Sequence, residues 1–391
     1  MTMHADFLDS IQEDQVATIC RDLVRFQTVN PPGDERACAE YVAGYLEESG
    51  FSVEILSHTS ERASVVARLK GNGQLPGLLF SGHLDVVPVG AEKWLHEPFE
   101  GEVVEGKLWG RGASDMKGGD ASILAAARAI ASANIPLQGD LILAFTAGEE
   151  GEQLGASEVA KRTDIAPVQA VVIAEPSGND VYIAEKGAFW LEITTHGKTA
   201  HGSAPELGKN AIMMMANLLR ELDQQEVPFQ QHPLLGGFTR SINTITGGVK
   251  TNVVPDNCAV TIDQRTVPGQ DHSEILRQVE DLINDQVRQD PDFNASVEVI
   301  NDRIPISSSS DDPVVQKFYD IVAEVTGTRP EPKGVAYYTD GVALVPAFDA
   351  PLIICGPGDA KLAHQPNEFV EVDKMVQAAQ IYALAIARLL G

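Results

Sequence analysis

The chain is predicted to be an α/β protein with a mostly parallel sheet carrying helices on both faces, and three observations point there. Short apolar runs at 78–81, 141–146, 170–174 and 352–355 have strand length, and stretches with helical apolar spacing lie between them. That alternation is the signature of βαβ units, whose crossover helices cover both faces of a parallel sheet. Each run, like a fifth at 108–112, leads to a residue able to bind metal or move a proton. In a parallel sheet the positions just past the strand ends share one rim, where α/β enzymes keep their sites.

In chain order, helices at 15–25 and 35–49 flank the breakers Pro31, Pro32 and Gly33. The run 78–81 leads to His83 and Asp85, the run 108–112 to Asp115, and an alanine-rich helix at 119–133 follows. The run 141–146 ends at the glycine-flanked pair Glu149 and Glu150, and 170–174 leads straight to Glu175. From 187 the pattern changes to strand 188–195, helix 210–222, strands 238–246 and 258–264, helix 273–288 and strand 295–300. This is the split βαβ, ferredoxin-like order of an α+β domain. Residues 187–301 are therefore predicted to be an insert, and 1–186 with 302–391 a discontinuous host domain. Met213, Met214 and Met215, beside Leu218 and Leu219, read as core filler. The Ser, Asp and Pro of 307–313 read as the start of a helix at 314–326. The run 352–355 leads to a loop holding His364, and a helix with a broad apolar face fills 373–390.

With 391 residues, 43% of them hydrophobic, the chain can bury a large core. Its 29 basic and 56 acidic side chains leave a net charge of −27, which makes nucleic acid and anionic membranes poor partners. Cys20, Cys38, Cys258 and Cys355 lack a C-x-x-C spacing and read as reduced thiols of a cytoplasmic protein. The start of the chain is acidic, without the basic and apolar regions of a secretion leader, and no apolar run approaches the ~20 residues of a membrane span.

Two imidazoles with several carboxylates suit zinc or a similar first-row divalent ion, whereas calcium calls for oxygen alone. Five or six such ligands exceed what one tetrahedral ion requires. Two ions roughly 3.5–4 Å apart, bridged by a carboxylate, are the economical reading. Taken singly, Glu149 and Glu150 with nearby Glu152 also read as a solvated charge run, and His83 as a hydrogen-bonded core residue. Five strand ends carrying such groups together argue against coincidence.

The motifs SGHLDVVP at 81–88, GRGASDMKGG at 110–119, TAGEEG at 146–151, AEP at 174–176 and GKTAHGSAP at 197–205 resemble those of a known family. It is the M20-type metallopeptidases: acetylornithine deacetylase, succinyl-diaminopimelate desuccinylase, aminoacylase and glutamate carboxypeptidase. The resemblance runs nearly end to end. It implies that His83 and Glu175 hold one metal, Glu150 and His364 the other, and that Asp115 bridges both. Glu149 is left as the base, and Asp85 is expected to accept the second ring N–H of His83. Zinc is the first expectation for both ions, with cobalt or manganese as alternatives.

His201, which alone would read as a turn histidine, is implied to steady an oxyanion, often from the neighbouring subunit, with the insert serving as lid and homodimer interface. Arg265 reads either as a clamp for a substrate carboxylate or as a surface ion pair, and the resemblance favours the clamp. Asn252, Thr339, Gly341 and Gly356 match pocket positions of relatives. The reaction expected is hydrolysis of the amide bond of an N-acyl L-amino acid, with a deacetylase-like enzyme first. Metallo-carboxypeptidase, dipeptidase and desuccinylase are the alternatives, and a metal-binding module without catalysis is the alternative from another class. Relatives that remove succinyl tend to carry arginine before the glycine that opens the insert; here Lys186 precedes Gly187.

Overall fold

The structure, a computed structural model, describes residues 6–391. Of the acidic stretch 1–14 read as lacking a leader, the first five residues lie outside the described residues. The chain forms two compact units, one running to Ala184 and including Ser307–Gly334 and Thr339–Gly391, the other comprising Glu185–Ile306 and Val335–Tyr338.

In the first unit six strands of a nine-stranded central sheet run in the order Ser52–Ser57, Ala63–Leu69, Leu141–Thr146, Gly77–His83, Val168–Ile173, Leu352–Ile354. The last four strands are mutually parallel. The first two, which the apolar runs did not predict, form an antiparallel edge, and Ser52–Ser57 lacks a single buried residue. Helices flank the sheet, so its inner strands are buried throughout: every residue of Gly77–His83 and of Leu141–Thr146 is inaccessible. Gly118–Ser132 packs along Val372–Leu389, tied by the Ser122 hydroxyl donating to the Met375 carbonyl at 3.0 Å. Tyr382 meets Phe80 edge to face at 5.2 Å and donates its hydroxyl to the Cys355 carbonyl.

One strand differs from its predicted place. Lys107–Trp109, the run before Asp115, belongs to a separate three-stranded antiparallel sheet with Glu102–Val104 and Phe369–Glu371. Its Trp109 ring packs on Phe369 and His96, contacts an apolar run cannot distinguish from burial in a parallel sheet. Asp115 therefore reaches the rim from a neighbouring layer. The helix Pro313–Thr326 begins where predicted, and its cap is Asp312, which accepts the N–H groups of Val314 and Val315.

The second unit is an antiparallel sheet in the order Thr239–Gly247, Asn257–Thr266, Gly187–His196, Ala295–Arg303. Helices Ala211–Gln224 and His272–Gln289 cover it through a core that includes Leu191, Ile193, Met215, Leu218, Val260, Ile262, Ile275 and Val279. Met214 and Met215 are in that core, whereas Met213 is 58% exposed because it falls on the outer side of its helix. Asn210 and Asp271 cap the two helices.

Among the described residues the four cysteines are free and buried, and no helix is long and apolar enough to cross a membrane. Burial pushes the Cys38 thiol up to about 12 and moves Cys20 and Cys355 the same way, which removes them as nucleophiles.

Candidate metal centre

Four strand-end loops and the Asp115 turn converge in the first unit. Two donor triads result, each with its ligand atoms within 4.8 Å of one another: His83, Asp115 and Glu175, and Asp115, Glu150 and His364. Asp115 belongs to both. Its Oδ1 lies 3.2 Å from His83 Nε2 and its Oδ2 lies 3.5 Å from His364 Nε2, so the carboxylate faces two ways. Glu175 Oε1 is 3.6 Å from His83 Nε2, and Glu150 Oε2 is 3.0 Å from His364 Nε2. Glu149 belongs to neither triad, with Oε2 3.9 Å from His83 Nε2. His83, Glu149 and Glu175 are buried, Asp115 and Glu150 are partly buried, and His364, with a side chain 54% exposed, marks the open side of the unit.

Crowding acids in so little water alters their proton affinity. Burial, then the neighbouring carboxylates, holds the carboxyls of Glu149 and Glu175 well above the usual range and raises that of Glu150. Burial opposes the charged form of His83, but its bond to Asp115 and the surrounding acids outweigh that and raise it. Asp115 is also disfavoured by burial, yet the His83 bond and both histidine charges keep it low. A cluster that binds protons this firmly is short of positive charge, and oxygen and imidazole donors at this separation fit divalent first-row ions.

The part expected of Asp85 needs correction. The atom next to His83 Nδ1 is the backbone carbonyl of Asp85, at 2.9 Å, while the nearer carboxylate oxygen is 3.7 Å away. The carboxylate turns instead to the Gly148–Glu150 loop. Its Oδ1 accepts the N–H groups of Gly148 and Glu149 at 3.0 and 3.1 Å, and its Oδ2 accepts those of Glu150 and the Asn30 side-chain amide at 3.1 and 2.9 Å. A carboxylate so saturated with donors cannot also swing to the imidazole. Gly148 has φ +83°, and a Cβ there would sit 2.9 Å from Arg62 Nη2. That guanidinium forms a two-point pair with fully buried Glu35 and a 3.1 Å bond to Glu152, whose side chain is otherwise largely solvated. Asn30, Glu35 and Arg62 escaped the sequence reading because nothing about them is distinctive until the fold joins 30, 62, 85 and 148.

Thr339, Gly341 and Gly356, expected to line a pocket, are buried backbone supports. The Thr339 hydroxyl accepts the Gly341 N–H at 3.0 Å at the start of helix Gly341–Phe348. A Cβ on Gly356 would fall 2.1 Å from the Ala174 carbonyl oxygen, so this glycine lets two strand-end loops touch beside Glu175.

His201, Asn252 and Arg265 belong to the second unit. The first two share an exposed pair of turns, joined by the Gly202 N–H donating to the Asn252 carbonyl at 2.9 Å. His201 Nδ1 accepts the Ser203 N–H at 3.2 Å, which leaves Nε2 as the protonated nitrogen of the neutral ring. Arg265 forms the ion pair that was its alternative reading, with Asp263 at 2.9 Å, between the rings of Trp190 and Tyr338.

Comparison with known proteins agrees with this geometry. The profile of peptidase family M20/M25/M40 matches residues 79–388. A probable succinyl-diaminopimelate desuccinylase of Staphylococcus aureus is 30% identical over 413 residues, covering 96% of this chain and 97% of its own. The N-formyl-4-amino-5-aminomethyl-2-methylpyrimidine deformylase of Bacillus subtilis is 31% identical, covering 94% and 93%. The crystal structure of a dinuclear metal-binding M20 peptidase from Bacillus subtilis superposes with a TM-score of 0.74 at 16% identity over 97% of this chain and 98% of its own. With the profile spanning every strand end that carries a donor, the chain belongs to peptidase family M20/M25/M40 and is a hydrolase of amide bonds.

Proposed function

We propose that this protein is a metal-dependent amidohydrolase that removes the acyl group from a small N-acylated amino acid, with a succinyl group ahead of an acetyl group. The observation that carries the reading is the pair of donor triads sharing Asp115, with the Glu149 carboxyl beside them and in neither. His83 and Glu175 would hold one ion, Glu150 and His364 the other, and Asp115 both, with zinc first and cobalt or manganese as alternatives. Ions bound there would acidify a water and polarise the scissile carbonyl.

The chain's own groups then do the proton work. Glu149 takes the proton of the attacking water and passes it to the leaving amine, a task suited to a carboxyl whose proton affinity burial has raised. His201 is the oxyanion donor through Nε2–H, and Arg265 the partner of a substrate carboxylate, sharing its charge with Asp263. Two copies of the chain associate through the Glu185–Ile306 unit, where Ile245 and Val249 are exposed.

The order of acyl groups reverses that of the sequence reading, which put acetyl first because Lys186 stands where desuccinylases tend to have arginine and because the ending AHQPNE at 363–368 resembles the acetylornithine deacetylase and aminoacylase branch. Relatives named as desuccinylases weigh against that inference. Lys186 also keeps the sign of the charge, and its ammonium donates to the Gly237 carbonyl at 2.6 Å. A dipeptidase is the second reading.

The test is release of free amine by zinc- or cobalt-loaded protein from N-succinyl, N-acetyl and N-formyl amino acids and from dipeptides. Fastest turnover of a succinyl substrate is expected. Preference for dipeptides would establish the second reading, and ion binding with no hydrolysis across the panel would leave a metal-binding module.

A further inference from the structure

The residue shared by both triads stands on a turn with little regular structure of its own. Gly112 has φ +83°, and Asp115 and Met116 depart from helical backbone angles before the helix Gly118–Ser132 begins. A turn of this kind leaves several N–H groups without partners from regular structure, and buried N–H groups must be satisfied. Here one side chain satisfies them. Glu368, fully buried, lies four positions beyond His364. Its Oε1 accepts the N–H groups of Ser114 and Asp115 at 2.8 and 2.9 Å, and its Oε2 accepts the Gly112 N–H at 3.0 Å and Arg111 Nη1 at 2.5 Å. The backbone joins in, since Gly110 N–H donates to the Glu368 carbonyl at 3.0 Å.

Arg111 belongs to the same device. It is 2% exposed, its guanidinium also donates to the carbonyls of Gln365 at 3.3 Å and Pro88 at 3.2 Å, and it lies over the Trp94 ring at 5.2 Å. The guanidinium thus ties the segment after the His83 strand, the Asp115 turn and the His364 loop to one carboxylate.

We propose that Glu368 is the positioning residue for Asp115: an acceptor-only group that fixes the turn so that one carboxylate faces both triads. It plays no part in the proton transfers. Asp85 does the equivalent for the Gly148–Glu150 loop, so each of these two loops hangs on a buried carboxylate through its backbone N–H groups. The two anchors differ in reach. Loosening the Asp85 anchor disturbs Glu150, which serves one triad, whereas loosening the Glu368 anchor disturbs Asp115, which serves both.

The chemistry of four donors makes the requirement strict. Each oxygen of Glu368 receives two of them, so Glu368→Gln turns an NH₂ toward groups that also donate, whichever way the amide is flipped. Glu368→Asp keeps the charge but shortens the reach by a methylene. The inference rests on the reading of Asp115 as the shared ligand, and its test is chosen to stand apart from catalysis.

Amide hydrogen exchange of the metal-free protein is measured first. In the unaltered chain the N–H groups of Gly112, Ser114 and Asp115 are expected to exchange slowly despite their irregular turn. Exchange at the rate of exposed loop amides would overturn the proposal even if no variant folds. In Glu368→Gln those three amides lose protection while the Gly77–His83 and Val168–Ile173 strands keep theirs. Zinc titration of the variant then shows both ions weakened together, by about 10–100-fold, the usual effect of removing a group that orients a ligand. The loss appears in kcat with KM little changed, and Glu368→Asp restores part of it. Retained protection at Ser114 and Asp115, or loss of only one ion, would overturn the assignment. Absence of amide hydrolysis in the unaltered protein would sink the proposed function and leave the exchange and titration results standing.

Discussion

The strand Gly77–His83 is buried at all seven positions, whereas Gly187–His196 alternates buried and half-buried residues along much of its length. The first lies inside a parallel sheet flanked by helices, the second in an antiparallel sheet whose helices cover one face. A strand enclosed on both sides can present a polar group only past its end, and there water is scarce enough to shift proton affinity. The alternating strand tolerates polar residues along its outer face and offers chemistry through exposed turns such as the one holding His201. The acids clustered in the first unit are therefore shielded from water, whereas His201 of the second stands exposed.

The widest gap between the regions should come from the base. Glu149→Ala is expected to lower kcat by about 10²–10⁴-fold with both ions retained. Its neighbour tells the opposite story, since Glu150→Ala should lose one ion. Metal analysis of the two purified variants decides between the roles, and equal metal loss would break the assignment.

A smaller effect is expected from the exposed region. His201→Ala should cost about 10²–10³ in kcat with a full metal complement, as for other oxyanion donors. Unaltered kinetics in that variant would remove the histidine from the reaction.

Ion pairs sharpen the comparison through stability. Arg62→Met strands the fully buried Glu35 carboxylate and should cost about 3 kcal/mol, at the lower end for a broken buried pair. Arg277, on an exposed helix face of the second unit, pairs with Glu274 and Asp281, and its replacement by alanine should leave the midpoint unchanged. Denaturant unfolding of both variants is the check, and comparable losses would contradict the contrast.

A pH-dependent contrast concerns Asp120, fully buried against the Gly82 backbone with neither carboxylate oxygen hydrogen-bonded. Burial lifts its pKa to about 8, so in the metal-free protein the folded state holds this proton over a range where the unfolded chain has released it. Stability conferred by that proton is complete at about pH 4, falls as pH rises toward about 8, and is flat above. Asp120→Asn should flatten this part of the pH dependence. Unfolding of both proteins at pH 5 and pH 8 measures it, and identical slopes would show that Asp120 is not the group concerned.

The sequence by itself determined the class of fold and the residues that gather at the strand ends, because both have local signatures. Apolar runs of strand length between helical stretches are readable without knowing where they pack, and His83, Glu150, Glu175 and His364 each follow one of the strands that form the parallel core. Glycine-flanked acids and ordered motifs carried the family. What only the tertiary structure decided is how those donors are held. Lys107–Trp109 looks like any core strand, yet it pairs in another layer. Asp85 sits two residues from His83, which suggested a bond to the imidazole, and its carboxylate turns to a loop more than sixty positions away. Asn30 and the Arg62–Glu35 pair left no trace in the sequence, and Glu368 showed only as the end of a motif without a role, for the same physical reason. Their partners are mostly backbone N–H groups or distant side chains, every residue but proline offers the same N–H, and only closure of the chain selects which of them a buried carboxylate meets.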